Sequence, residues 1–285
     1  MPLPQNPATG LLITGANGRI GRALRAIWAE NRMSGLPILW HGRQAGPGVD
    51  VVWDIGKNPL AALPHRLIVL HLAGVTTGTA QDLAENARVT QAVCQAARAA
   101  DALRVLVMSS AAVYAPGPDA LTEADRPAPI SPYGHAKLEA ERVALASLPQ
   151  GRVTLLRLAN LAGADALLGG CRPGQTVTLD PIAGQAGGPE RSYIGPRALA
   201  RVLSELVALS DLPAVLNLAQ PGTVAMADLL TARGQPWTFG PPRAAAVPRV
   251  VLSTDRLAAL IPLVPLTPAT PSGLIDDLAS VAGWP

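Results

Sequence analysis

The stretch "GLLITGANGRIGRALRAIWAEN", residues 10–31, limits the fold more than any other. A short apolar run leads into Gly15, Gly18 and Gly21, and helical periodicity follows from Ile20 to Ile27. Glycines at this spacing between a strand and a helix suit backbone that must come close to an anion. A Cβ would occupy that room, and the helix start offers free N–H groups and a positive dipole end. Turns also use glycine for reasons of their own. The strand–turn–helix context favours a dinucleotide held by residues 15–21: Gly15, Asn17, Gly18, Arg19, Ile20 and Gly21.

Further short apolar runs stand at "PILWHG", "VDVVWDI", "LIVLHLAG", "RVLVMSSAAVY" and "VTLLRLANLAG". An Ala-rich helix with Leu83, Ala87 and Val93 at roughly helical spacing lies between two of them. This rhythm predicts βαβ units and a buried, doubly wound parallel sheet, an α/β fold of Rossmann type. Gly and Pro become dense at 163–196 and 234–272, which predicts a smaller, loop-rich C-terminal substrate lobe with helices near 197–209 and 225–233. The expected domains are 1–160 for dinucleotide binding and 161–285 for substrate, with some later segments returning to the first. With 49% apolar and 15% charged residues over 285 positions, a large core is available.

The net charge is +3, but the arginines are scattered and no basic run is interleaved with aromatics, which argues against a nucleic-acid partner. Cys94 and Cys171, with His41, His65, His71 and His135, form no ligand pattern, so no metal site is expected. No apolar stretch reaches the ~18 residues of a membrane span, and the N-terminus lacks a basic n-region. The expectation is a soluble cytoplasmic protein; a homodimer is compatible with it.

An NAD-binding fold of this type places an acid at the end of its second strand, for the ribose 2′-hydroxyl. Here that strand ends "WHGRQ", with His41 near that place and Arg43 just after it. Arg43 is either a solvated loop residue or the partner of a 2′-phosphate, which a guanidinium can hold bidentately. With no acid nearby, NADP is preferred and NAD is the alternative. Asp54, with Ile55 next in the chain, either accepts from an adenine amino group or caps the segment after its strand.

"SPYGHAKLEAERV", residues 131–143, holds Lys137, one of only two lysines in a chain that otherwise writes its positive charge as arginine. Tyr133 stands four residues before it, one helical turn away on the same face. Ser131 is placed to cap that helix and Pro132 to begin it.

Together these segments resemble the extended short-chain dehydrogenase/reductases, also called NAD-dependent epimerase/dehydratases. "TGANGRIG" resembles the family's nucleotide turn, "HLAG" its fourth strand end, "ENARVT" its helix asparagine and "SSAAVY" its serine strand. "SPYGHAKLEAE" is similar to the catalytic helix, "LRLANLAG" to the next strand and loop, "RSYI" to a substrate-reaching segment and "GWP" to the usual close. The pattern is broken in "YIGPRALA", where Gly195, Arg197 and Ala198 replace a His and paired Asp.

The resemblance implies that Leu72, Ala73 and Gly74 line the cofactor and that Ser110, Tyr133 and Lys137 are catalytic. A phenol of ordinary pKa about 10 is a poor base at neutral pH. A neighbouring ammonium, helped by an oxidised nicotinamide, is expected to lower it, so that Tyr133 exchanges a proton with the substrate oxygen while Ser110 holds that oxygen. Ser109 and Tyr114 are expected to be structural, and Asn86 to brace the sheet. Asn160 and Arg191 match residues that touch a nucleotide-sugar diphosphate, or are a turn residue and a solvated charge. Ala111-Ala112 stand where a dehydratase carries Asp-Glu, and methyl groups transfer no protons. A ketoreductase on a sugar nucleotide or related small molecule is the first expectation, and a nucleotide-sugar 4-epimerase with tightly held NAD the second. A non-catalytic nicotinamide-sensing protein is the alternative of another class.

Overall fold

The computed structural model describes residues 8–30, 35–58, 60, 63–264, 266–281 and 283. Met1–Pro7, and Trp284 and Pro285 of the "GWP" match, lie outside the described residues. In chain order the first half contains β1 (Leu11–Thr14), α1 (Arg19–Glu30), β2 (Ile38–Gly42), β3 (Val51–Val52), β4 (Ile68–His71), α2 (Ala80–Ala99), β5 (Arg104–Ser110), α3 (Pro132–Ser147) and β6 (Val153–Leu158). The second half contains β7 (Asn160–Leu161), β8 (Val177–Leu179), β9 (Glu190–Arg191), β10 (Tyr193–Ile194), α4 (Pro196–Ala208), β11 (Val215–Leu218), β12 (Val224–Ala225), α5 (Met226–Ala232), β13 (Trp237–Phe239), β14 (Arg249–Val250), α6 (Asp255–Leu260) and α7 (Pro271–Ala279).

Seven strands form one parallel sheet in the order β11-β6-β5-β4-β1-β2-β3. The chain runs outward from β1 in one direction and from β4 in the other, so the order reverses beside β1. That switch leaves a crevice at the carboxyl ends of the strands, where doubly wound sheets bind their ligands. Alternate residues of each strand feed two cores. Leu11, Ile13, Leu70 and Leu156 pack beneath α1 and α4, whereas Leu12, Val69, Val105 and Leu155 pack beneath α2 and α3. Both faces being covered, every residue of β1 and of β4 is buried. Thus β11 and α4, from the C-terminal part of the chain, belong to the layers of this sheet.

The buried stripe of α2 runs through Leu83, Asn86, Thr90, Val93, Cys94 and Ala97. Ala87, read from the sequence as a core position, is only half-buried, and polar Asn86 takes the inward place beside it. In an Ala-rich helix, hydropathy alone does not locate the inner face.

The remaining strands are two or three residues long and pair in small sheets around a third core of Leu168, Leu179, Tyr193, Val224, Leu229, Leu230, Leu274 and Leu278. The broken family pattern at 195–198 has its physical reason here. No side chain at Gly195 caps α4; instead the Asp277 carboxylate, from α7, accepts from Arg197 N (3.0 Å) and Ala198 N (3.3 Å). A Cβ at position 195 would push that carboxylate aside, so glycine lets the cap form. The Arg197 guanidinium then bonds Glu30 of α1 and Ser280, which joins the two lobes.

Candidate active site

The glycine turn opens at the carboxyl end of β1. Gly15 has φ +78°, and a Cβ on it would lie 2.8 Å from Ala73 N. A Cβ on Gly21 would lie 2.7 Å from Ala16 Cα, so this glycine permits α1 to fold back against its own turn. Asn17, Gly18 and Arg19 are exposed at the start of α1, and Ile20 is half-buried against the core. A Cβ on Gly18 would approach only the Gly15 carbonyl, at 3.2 Å, so the edge of this cradle is open. The residues therefore fit a bound pyrophosphate. Arg19 also donates to Ala164 O (2.9 Å), tying the turn to the loop beyond β7.

Two buried histidines stiffen the crevice. Thr14 Oγ1 accepts from Leu72 N and Ala73 N (3.2 Å each), so its own proton goes to His71 Nδ1 (2.7 Å), and His71 Nε2 in turn meets Thr90 Oγ1 (3.1 Å). Burial pushes the His71 pKa down to about 3, so the ring is neutral. His41, near the place of the expected acid, turns inward: its Nδ1 accepts from Gly15 N (3.3 Å) and its Nε2 faces Trp53 O (2.8 Å). Arg43 is exposed at the end of β2 and, among the described residues, makes no side-chain hydrogen bond or ion pair. Asp54 pairs with Lys57 (3.0 Å) and Ile55 buries its side chain in the core beneath α2.

Ser110 ends β5, and its hydroxyl accepts from Ala112 N (3.1 Å) in the short 3-10 turn Ala111–Val113. Helix α3 starts as its sequence suggests, with Ser131 Oγ accepting from Gly134 N (3.0 Å) and Pro132 in the first turn. Gly134 was missed in the sequence. A Cβ there would strike the Ala112 carbonyl oxygen and lie 2.9 Å from Pro129 Cβ. This glycine lets α3 press against the turn after Ser110, and the Ser110 hydroxyl acts on the Tyr133 phenol, drawing its pKa down against burial. Lys137, one turn on, donates from Nζ to Met108 O (2.6 Å) beneath Gly74, whose Cβ, if present, would lie 3.9 Å from that nitrogen.

The expected lowering of the phenol pKa is not what the protein alone produces. Burial raises the Tyr133 pKa, and the group that offsets this is Ser110 rather than Lys137. Burial also brings Lys137 down, to about 8, with Glu141 acting in the opposite sense. Asn86 braces the loop leaving β4 rather than the sheet itself: Oδ1 accepts from Val75 N (3.0 Å), and Nδ2 donates to Val75 O and Leu83 O. Ser109 donates to Glu141 (2.5 Å), and Tyr114 donates to Asn217 Oδ1 (2.8 Å), both buried.

On the lobe side, Asn160 follows β6, which pairs Leu158 with Ser110, and in β7 it is the strand partner of Tyr193. Tyr193 in turn donates to Asp165 Oδ2 (3.4 Å). Arg191 lies apart from this group. Its terminal nitrogens donate to the carbonyls of Glu190 (2.7 Å), Val247 (2.9 Å) and Pro248 (3.4 Å), so it braces β9 against the chain entering β14. The structure thus gathers Gly15, Gly74, Ser110, Tyr133, Lys137 and Asn160 along one edge of the sheet and engages Arg191 elsewhere.

Such a crevice, with a glycine cradle at one end and a paired serine and tyrosine beside a lysine at the other, defines a dinucleotide-dependent enzyme of Rossmann type. The family model of the NAD dependent epimerase/dehydratase family matches residues 11–170, and the chain belongs to that family. No curated protein matches it. Among solved structures, the chain is similar to MoeE5 in complex with UDP-glucose and NAD, at 26% identity and TM-score 0.75 over 96% of this chain and 98% of that one. TunA, an NAD-dependent NDP-hexosamine 5,6-dehydratase of tunicamycin biosynthesis, matches at 18% identity and TM-score 0.74, over 94% and 95%. UDP-glucuronic acid 4-epimerase from Bacillus cereus, in complex with UDP-glucuronic acid and NAD, matches at 17% and 0.71, over 94% and 97%.

Proposed function

We propose that the chain is a ketoreductase that prefers NADP and acts on a carbonyl or hydroxyl of a nucleotide sugar or related small molecule. The observation that carries this reading is the close seating of α3, through Gly134, on the turn after Ser110, which sets Tyr133 and Lys137 one helical turn apart beside the end of β5, with Lys137 Nζ bonded to Met108 O. A substrate oxygen held between two hydroxyls can receive a proton from Tyr133 as negative charge grows on it, while Ser110 stabilises that charge. The nicotinamide, when bound, supplies or accepts the hydride. The cradle of Gly15, Asn17, Gly18, Arg19, Ile20 and Gly21 would hold its pyrophosphate, with Leu72, Ala73 and Gly74 along its far side.

The preference for NADP rests on Arg43, which is exposed and unengaged, and on His41, which occupies the usual acid's place and is turned away from solvent. Ala111 and Ala112 follow Ser110 and offer no group for water loss, so dehydration is not favoured. A 4-epimerase with retained NAD is the second reading, favoured by relatives named as holding NAD and UDP-sugars. A non-catalytic sensor is disfavoured because it needs no paired Ser110 and Tyr133.

A charge-assisted bidentate contact contributes ~1.5–3 kcal/mol, roughly ten- to a hundredfold in affinity. Fluorescence titration should show tighter binding of NADPH than NADH, and Arg43→Ala should remove most of that difference while leaving NADH unchanged. Equal binding by the unmodified protein would remove Arg43 from the 2′-phosphate. NAD found tightly bound by mass spectrometry of the purified protein would put the epimerase first.

A further inference from the structure

Two elements meet at Asn17 of the glycine turn. Arg22 and Arg25, one turn apart on α1, donate to its carbonyl (3.1 Å) and to its Oδ1 (3.4 Å) respectively. Gly42, at the end of β2, comes so near that a Cβ on it would lie 3.2 Å from Asn17 Nδ2, and Arg43 follows it. Arg25 does more than touch the turn. Its other terminal nitrogen donates to Pro47 O (3.2 Å), and its guanidinium lies 5.3 Å from the centre of the Trp40 ring. Gly48, at φ +67°, leaves room for it: a Cβ there would lie 2.9 Å from the same nitrogen. One planar fork thus joins α1, β2, the glycine turn and the 43–49 loop. The far end of that loop is closed separately by Asp50, whose carboxylate accepts from Trp40 N (2.8 Å) and whose N–H donates to Trp40 O (2.8 Å). Arg25 Nε is buried with no hydrogen-bond partner, which costs stability, so stability does not explain the arrangement.

We propose that Arg25 is a positioning residue for cofactor choice: by fastening the 43–49 loop to Asn17 it holds Arg43 beside the glycine turn, where its charge can meet a 2′-phosphate. The inference rests on the reading of Arg43 as the partner of that phosphate. Among the described residues no carboxylate pairs with Arg22, Arg25 or Arg43, and Asp50, the acid that ends this loop, is engaged with the backbone of Trp40. Uncompensated guanidinium groups gathered around one residue favour an added phosphate. The fork matters as much as the charge. The two terminal nitrogens of Arg25 bond different segments, a span that an ammonium, acting from one point, does not reproduce. Without this strut the loop would be loose at its tip, because Val49 N to Gly46 O (3.1 Å) is the one backbone bond within it.

Calorimetric titration of 2′,5′-ADP against 5′-AMP reads the phosphate by itself, with no substrate needed. The unmodified protein should bind 2′,5′-ADP about ten- to a hundredfold more tightly. Arg25→Met, which keeps the stem over Trp40, should lower that advantage by about tenfold with 5′-AMP affinity nearly unchanged, and should speed hydrogen exchange across 43–49 several-fold in the absence of any ligand. Arg25→Lys should behave as Arg25→Met does, because it cannot hold Asn17 and Pro47 together. An advantage kept in both variants while Arg43→Ala loses it overturns this inference and leaves the NADP reading standing. An advantage restored by Arg25→Lys, loop exchange unchanged in both variants, or loss of folding in both overturns the positioning role. No advantage in the unmodified protein means that the NADP reading itself has failed, and this inference with it.

Discussion

The two sides of the crevice are built by different means. On the sheet side the decisive contacts are backbone against backbone: Gly15 against Ala73, Gly21 against Ala16, Gly134 against Ala112. On the lobe side they are single side chains reaching to distant segments, Tyr193 to Asp165, Arg191 to the carbonyls of Val247 and Pro248, and Asp277 to the N–H groups at the start of α4. Backbone approaches tolerate no added atom, because the neighbour cannot move without moving its element. Side-chain contacts yield locally. The catalytic side should therefore respond to a single methyl group, and the lobe side only to lost hydrogen bonds.

The sharpest way to break this contrast is Gly134→Ala. The added Cβ must push α3 from the turn after Ser110, and a displacement near 1 Å should lower kcat/KM ~10²-fold. Steady-state kinetics with activity kept within a factor of a few would show the approach is not needed.

Lys137→Met separates charge from packing on the same side. The folded pKa of about 8 lies below the usual 10.5, so between those values the unfolded chain binds more protons. Stability should accordingly rise with pH from about 8 to 10.5, the buried charge being unfavourable below pH 8. Replacing it should stabilise the fold at pH 7 by on the order of 3 kcal/mol and so raise the thermal midpoint, while turnover falls. That gain should shrink toward pH 10.5. A melting difference independent of pH would contradict the lowered value.

The smallest effect belongs to the lobe side. Asp277→Ala removes the carboxylate that caps α4 and should cost about 1 kcal/mol in denaturant unfolding, with cofactor affinity unchanged. A loss of cofactor binding as large as that of Gly134→Ala in turnover would erase the distinction between the two sides.

The same contrast decides what could be read in the sequence. The glycine turn, the strand–helix rhythm and the Ser131–Pro132 start of α3 are local, so spacing and residue type reveal them. Gly134 and Glu141 lie within "SPYGHAKLEAERV", yet what they touch, Ala112 for the one and Ser109 and Arg157 for the other, is brought near only by the folded sheet. The departure at Gly195, Arg197 and Ala198 was visible, but its explanation, Asp277, comes from another helix. Burial at Tyr133 is hidden for a related reason: a residue four positions away can be counted, whereas the burial that raises the phenol pKa in the protein alone cannot.

The central claim is that Tyr133 carries the transferable proton in a site that binds its dinucleotide independently of it. The direct measurement tracks NADPH absorbance with a panel of nucleotide-sugar ketones, comparing the unmodified protein with Tyr133→Phe, with NADPH affinity titrated alongside. Turnover should fall by ~10²-fold or more while the NADPH Kd stays within a factor of a few. Turnover retained within a factor of a few would contradict the account.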